Sequence, residues 1–174
     1  MQTTTCAPAT CQLGLREMKT YLLTVLFIVG NILLPQLCHL FPQGGLILLP
    51  IYFFTLIGAY KYGLSVGLLT AIGSPLVNHL LFGMPPASML PVILVKGSLL
   101  ALAASLIAVR LGRVSFLGVV MAVVAYQTLG MLAEWAVTGS GVAALQDVRL
   151  GFPGLLLQVF GGWALLRFTF GGRR

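Results

Sequence analysis

Lys96 is the residue that demands most of its surroundings. It falls inside an apolar stretch of about Ser88–Val109. A lysine in the middle of a membrane helix costs roughly 2.5–3.5 kcal/mol on insertion scales, so an intramembrane ammonium is a functional candidate by default. It needs a carboxylate or a ligand. Glu134, near the end of a second apolar stretch of about Val114–Val137, is the carboxylate that two neighbouring antiparallel helices would bring nearest to it. Around this pair the sequence offers Asn78, His79, His39, Trp135 and Gln158, with Gln36, Cys38, Gln43, Asp147 and Arg149 further out. Two charges of opposite sign, carboxamides, imidazoles and a flat indole can recognise a small polar ligand.

Each of these residues also has a purely structural reading. Lys96 and Glu134 can neutralise each other as a fixed pair. Trp135 suits a membrane interface. His39 and His79 fit as interfacial polar groups. Asn78 and Gln158 can satisfy backbone groups freed by Pro75 and Pro153. Cys38, His39 and His79 are of the right type to hold a metal, but no tight spacing joins them, and no resident metal or cofactor is expected. Cys38 or a histidine can instead serve as axial ligand to a metal carried by the ligand, as in cobalamin or haem. No serine has a partnered His–acid arrangement. No Gly-rich phosphate loop precedes a Lys-Ser/Thr pair, so no ATP hydrolysis by this chain is expected.

The elements that position these groups are membrane helices. Of 174 residues, 59% are hydrophobic and 7% charged, against about 25% charged in ordinary soluble domains. The mean hydropathy is +1.03. The apolar runs are continuous rather than alternating, which favours helices over a barrel. The expected fold is all-α: a bundle of about six spans at roughly 20 residues each. They are about Tyr21–Leu40, Leu46–Tyr60, Tyr62–Phe82, Ser88–Val109, Val114–Val137 and Leu150–Phe170. Residues 1–20 read as a polar, mostly disordered cytoplasmic leader without a signal-peptide core, 21–170 as one membrane domain, and 171–174 as a basic cytoplasmic tail. Cys6, Cys11 and Cys38 imply no framework of paired cysteines.

With the amino terminus inside, eight of the ten Lys and Arg residues become cytoplasmic, leaving Arg149 outside and Lys96 in the membrane. This positive-inside asymmetry predicts both termini in the cytoplasm of a plasma membrane. It also accounts for the net charge of +7 without nucleic acid. The polar set then gathers in the outer half, as a pocket open to the outside.

One stretch, about Gly45–Leu106, carries a family pattern. It contains Leu49-Pro50-Ile51-Tyr52, then Gly58, Gly63 and Gly67 at spacings of five and four. Ser74-Pro75-Leu76 and Gly83-Met84-Pro85 follow. The chain resembles the substrate-binding S-components of energy-coupling factor (ECF) vitamin transporters. The resemblance implies binding of a vitamin or related micronutrient at the outer face. It implies partners as well: a transmembrane coupling protein driven by two ATPase subunits. Many members dock through an alanine pair in span 1. Here span 1 has no alanine and one glycine, Gly30. Docking is therefore expected through Gly63/Gly67 and Ala104/Ala108, unless the protein works alone, as certain cobalamin members do. The rival reading is a membrane scaffold of the cell envelope, which would have similar size and span count but no reason to gather polar groups in one place.

Overall fold

A hydrocarbon environment forces every backbone amide to find an internal partner, and continuous apolar runs meet that demand as helices. The computed structural model describes residues 5–6, 10–38, 49–141 and 145–170. Among them the long elements are α1 (Met18–Cys38), α3 (Leu64–Phe82), α4 (Leu90–Leu111) and α5 (Phe116–Thr138). These four are long and apolar enough to cross a membrane. Helix α2 (Phe53–Tyr62) is short, and a 3-10 turn, Pro50–Tyr52, leads into it. After the four-residue α6 (Gln146–Arg149) comes a broken last rod. It runs as α7 (Phe152–Leu156), a π turn (Leu157–Gly161) and α8 (Gly162–Phe170).

Helices α3, α4 and α5 each stop at a left-handed glycine. Gly83, Gly112 and Gly139 return their amides to His79, Ala108 and Trp135 at 2.8, 2.9 and 2.8 Å. This closes otherwise orphaned carbonyls without strain. Small residues then set the packing. A Cβ on Gly67 would lie 2.5 Å from that of Ala59 and 3.1 Å from that of Ala101, so α2, α3 and α4 approach almost backbone to backbone there. Ala104 and Ala108 are fully buried. Gly30 gives way to the ring of Phe54, which seats α1 on α2. Apolar side chains that face away from the bundle, Leu22, Val25, Leu26 and Leu33 on α1 among them, are exposed, as contact with lipid would require.

Contacts between element ends fix which termini lie together. Tyr60 donates to the carbonyl of Arg113, and the amide of Leu13 donates to that of Tyr62. The end of α2, the α4–α5 turn and the approach to α1 therefore share one end of the bundle. The guanidinium of Arg167 lies 5.5 Å from the ring centre of Trp163, which packs on Phe116 at the start of α5. Arg16, Lys19, Lys61, Arg110, Arg113 and Arg167 thus belong to this end, and Arg149 to the opposite one.

The described part of the second element is about 15 Å of helix at 1.5 Å per residue, half a typical hydrocarbon core, after its 3-10 turn; residues 46–48 of the expected span lie outside the described residues. Leu49, at the entry to its 3-10 turn, has φ 46, a left-handed conformation that costs a leucine about 1–3 kcal/mol and that its burial maintains. The leader is ordered where it is described. Short strands β1 (Thr5–Cys6) and β2 (Cys11–Gln12) pair in register, Leu13 is buried, and Thr20 donates to the carbonyl of Gly14 at 2.7 Å. Cys11 is disulfide-bonded, a cross-link that the cysteine spacing did not imply.

Candidate functional site

Lys96 sits six residues into α4, about 9 Å below its start. Side chains on a helix lean toward its amino terminus, so Lys96 rises toward the Arg149 end. Helix α5 runs antiparallel and presents Tyr126, Gly130 and Glu134 at four-residue spacing. Gly130 makes room for the lysine stem: a Cβ there would lie 2.7 Å from Lys96 Cγ. The ammonium then meets Glu134 Oε2 directly in a salt bridge. Lys96 is 2% exposed and Glu134 15%. The lysine spans the whole height difference by itself, and the pair closes without a bridging ligand or water.

One turn below, Tyr126 is fully buried. Its hydroxyl donates to Gln158 Oε1 at 2.9 Å, and its ring lies 5.6 Å from that of Tyr52. Gln158 belongs to the π turn of the last rod, a distortion that recurs at functional sites. Among the described residues its Nε2 has no hydrogen-bond partner, and neither do Nε2 and Oε1 of Gln127 or Oδ1 of Asn78. All three residues are buried. An orphaned buried polar group costs about 1–3 kcal/mol, and a native structure needs a reason for each. Turning an amide end for end does not help, since one end of Gln158 and both ends of Gln127 stay unmatched.

The residues named from the sequence separate into groups. Lys96, Glu134 and Gln158 lie along the inner side of α5, and Asn78 is buried near the top of α3. His79 lies beside Asn78, but its Nδ1 donates to the carbonyl of Pro85 at 2.7 Å, which ties down the α3–α4 turn. Trp135 is 56% exposed and points away from the interior, because it follows Glu134 by 100° around α5. His39 lies outside the described residues.

A sloping groove between α4 and α5, lined by Pro91, Val92, Val95, Gly130, Ala133 and Glu134, reaches the edge of the ion pair. It holds about 50 Å³, well below the roughly 300–1,000 Å³ of ligand pockets for drug-sized molecules.

Reading the sequence missed Asn31, Tyr126, Gln127 and Gly130. Asn31 and Gln127 carried a usable signal, since each is a polar residue midway along an apolar helix. Asn31 Nδ2 donates to Thr55 Oγ1 at 3.2 Å and to Ser74 Oγ at 3.0 Å, and its Oδ1 accepts from the amide of Phe54 at 3.1 Å. It caps α2 inside the bundle and joins α1, α2 and α3.

The small residues expected to dock a partner are not on the surface. Gly67, Ala104 and Ala108 are buried in contacts within the bundle, so their faces are not available to another protein. Gly63, at φ 92, is covered by Gln12 of the leader.

No family model, curated protein or solved structure matches the chain.

Proposed function

We propose that this chain is a multi-pass membrane protein that binds a vitamin or related micronutrient, as the S-component of an ECF transporter. On this reading α2 and the rod Phe152–Phe170 complete six crossings beside the four long helices. Both termini lie in the cytoplasm of a plasma membrane, and the half of the bundle nearest Arg149 faces outward. The cationic residues at one end support that orientation. The observation that carries the reading is the polar interior: Lys96 and Glu134 paired above Gln127 and Gln158, which leave amide atoms without partners among the described residues. The coupling protein and its two ATPases would dock on a surface other than Gly67 and Ala104.

Cysteine labelling tests the orientation: Lys61→Cys and Arg110→Cys should resist external reagents in intact cells, and labelling of either would favour the inverted orientation.

Mass spectrometry of small molecules retained through mild purification tests the function. A stoichiometric compound, lost from Lys96→Met, is the expected result. Its absence from every preparation would move the assignment to the rival reading, a cell-envelope scaffold. One observation favours that rival: the groove is small and Glu134 already satisfies the lysine.

A further inference from the structure

Of the chain's three acidic residues, Glu134 and Asp147 lie toward the Arg149 end, so Glu17 is the acidic residue at the end that holds six cationic ones among the described residues. Arg110, Arg113 and Arg167 are exposed there. The ion pair among the described residues is Lys96–Glu134, so these three have no carboxylate partner. Arg167 has an aromatic neighbour instead. Phe160, Trp163 and Arg167 follow one another at three and four residues, along one face of the last rod. Phe116 of α5 packs on that face, 5.5 Å from the ring centre of Phe160 and 5.6 Å from that of Trp163. The Arg167 guanidinium lies over the Trp163 ring, 5.5 Å from its centre. Stacking occupies a face of the guanidinium and leaves its N–H edge for a phosphate or carboxylate. Phe160 is 56% and Phe116 39% exposed, so this aromatic shelf opens sideways, out of the bundle. From Phe160 to Arg167 the rod rises about 10 Å, from apolar surface to cation. Arg113 adds a second cation from the turn before α5, three residues ahead of Phe116 and so within about 10 Å of it. An acidic protein segment would match the arginines but not a shelf turned toward lipid chains. A molecule with an anionic head and an apolar tail matches both.

We propose that this corner, Phe116, Phe160, Trp163 and Arg167 with Arg113 beside them, binds an anionic glycerophospholipid. Its phosphate takes the open edge of Arg167, with Arg113 as the second cation, and its first acyl methylenes lie over Phe116 and Phe160. This rests on the membrane placement proposed above and not on the small-molecule site.

Matched lipids test the head and the tail together. Purified protein in detergent is titrated with phosphatidylglycerol and with phosphatidylcholine of the same acyl chains, and thermal unfolding is followed. Phosphatidylglycerol should raise the unfolding temperature at a mole fraction at least tenfold lower. Arg167→Gln should weaken that response at least fivefold while leaving the unfolding temperature in phosphatidylcholine unchanged, because the side chain is exposed. Arg113→Gln should weaken it too and serves if the first variant misfolds. Phe160→Ala should weaken the response to phosphatidylglycerol, and Arg149→Gln, at the opposite end, should not. Equal responses to the two lipids, or none to either, overturn the proposal. So does a loss in Arg149→Gln as large as that in Arg167→Gln, which would mean a general effect of net charge. Glycerol 1-phosphate as effective as the lipid would mean a site for soluble anions and overturns it too. Retention of a small molecule on purification is a separate result, so the two proposals fail separately.

Discussion

Among the described residues, two polar clusters inside this bundle are satisfied to very different degrees. Around Asn31 every amide atom has work: two hydroxyls and one backbone amide are matched, and three helices are joined. Along α5, the ion pair is closed, but Gln127 and Gln158 leave amide atoms unmatched. Both clusters cost desolvation. The first recovers it through protein bonds and so explains itself as architecture. The second does not, which is why a ligand is sought there. Buried polarity alone does not mark a site. Buried polarity without partners is what makes the second cluster a candidate.

Substitutions can break or sharpen this contrast. The largest effect is expected at the ion pair. Lys96→Met strands a mostly buried carboxylate and should destabilise by about 3–5 kcal/mol. Adding Glu134→Gln should return thermal stability in detergent close to wild type, without restoring retention of the small molecule. A double variant that recovers both would place the pair with Asn31, as architecture alone.

Asn31→Ala comes next, at about 2–3 kcal/mol, because it orphans the Phe54 amide and removes the partner of two hydroxyls. Hydrogen exchange should show the first turn of α2 losing protection. If Asn31→Ala were as mild as Gln127→Met, which removes an amide unmatched among the described residues, the distinction between the clusters would fail.

Gly67→Leu should destabilise by about 1–3 kcal/mol by forcing α3 away from Ala59 and Ala101. Stability and ligand retention should fall together. Lost uptake at unchanged stability would return Gly67 to a docking role.

The smallest effect is expected at Trp135. Trp135→Phe should shift stability by no more than about 0.5 kcal/mol and leave retention unchanged, since the indole faces outward. Lower retention in this variant would show that the site extends to the outer face of α5.

Much of the helical frame is legible in the amino-acid sequence. Continuous apolar runs have no other way to satisfy their backbone, so α1, α3, α4 and α5 lie close to the spans read from the sequence. Lys96 and Glu134 are legible for a related reason. Opposite charges in neighbouring antiparallel apolar helices have few other partners. Local composition therefore determined the class of the molecule, its long helices and its most costly residue. The direction of every other polar side chain was not local. Gln127 and Trp135 lie on the same helix, eight residues apart, yet one is buried and the other exposed. That difference depends on which arc of α5 meets α4 and the last rod. Asn31 needed Thr55 and Ser74 from two other helices before its role appeared. Gly67 and Ala104 looked equally suited to an outside partner or an inside one, because small residues permit close approach without specifying what approaches. Only the packed bundle decided those questions, since burial and hydrogen-bond partners belong to pairs of helices and not to one stretch of chain.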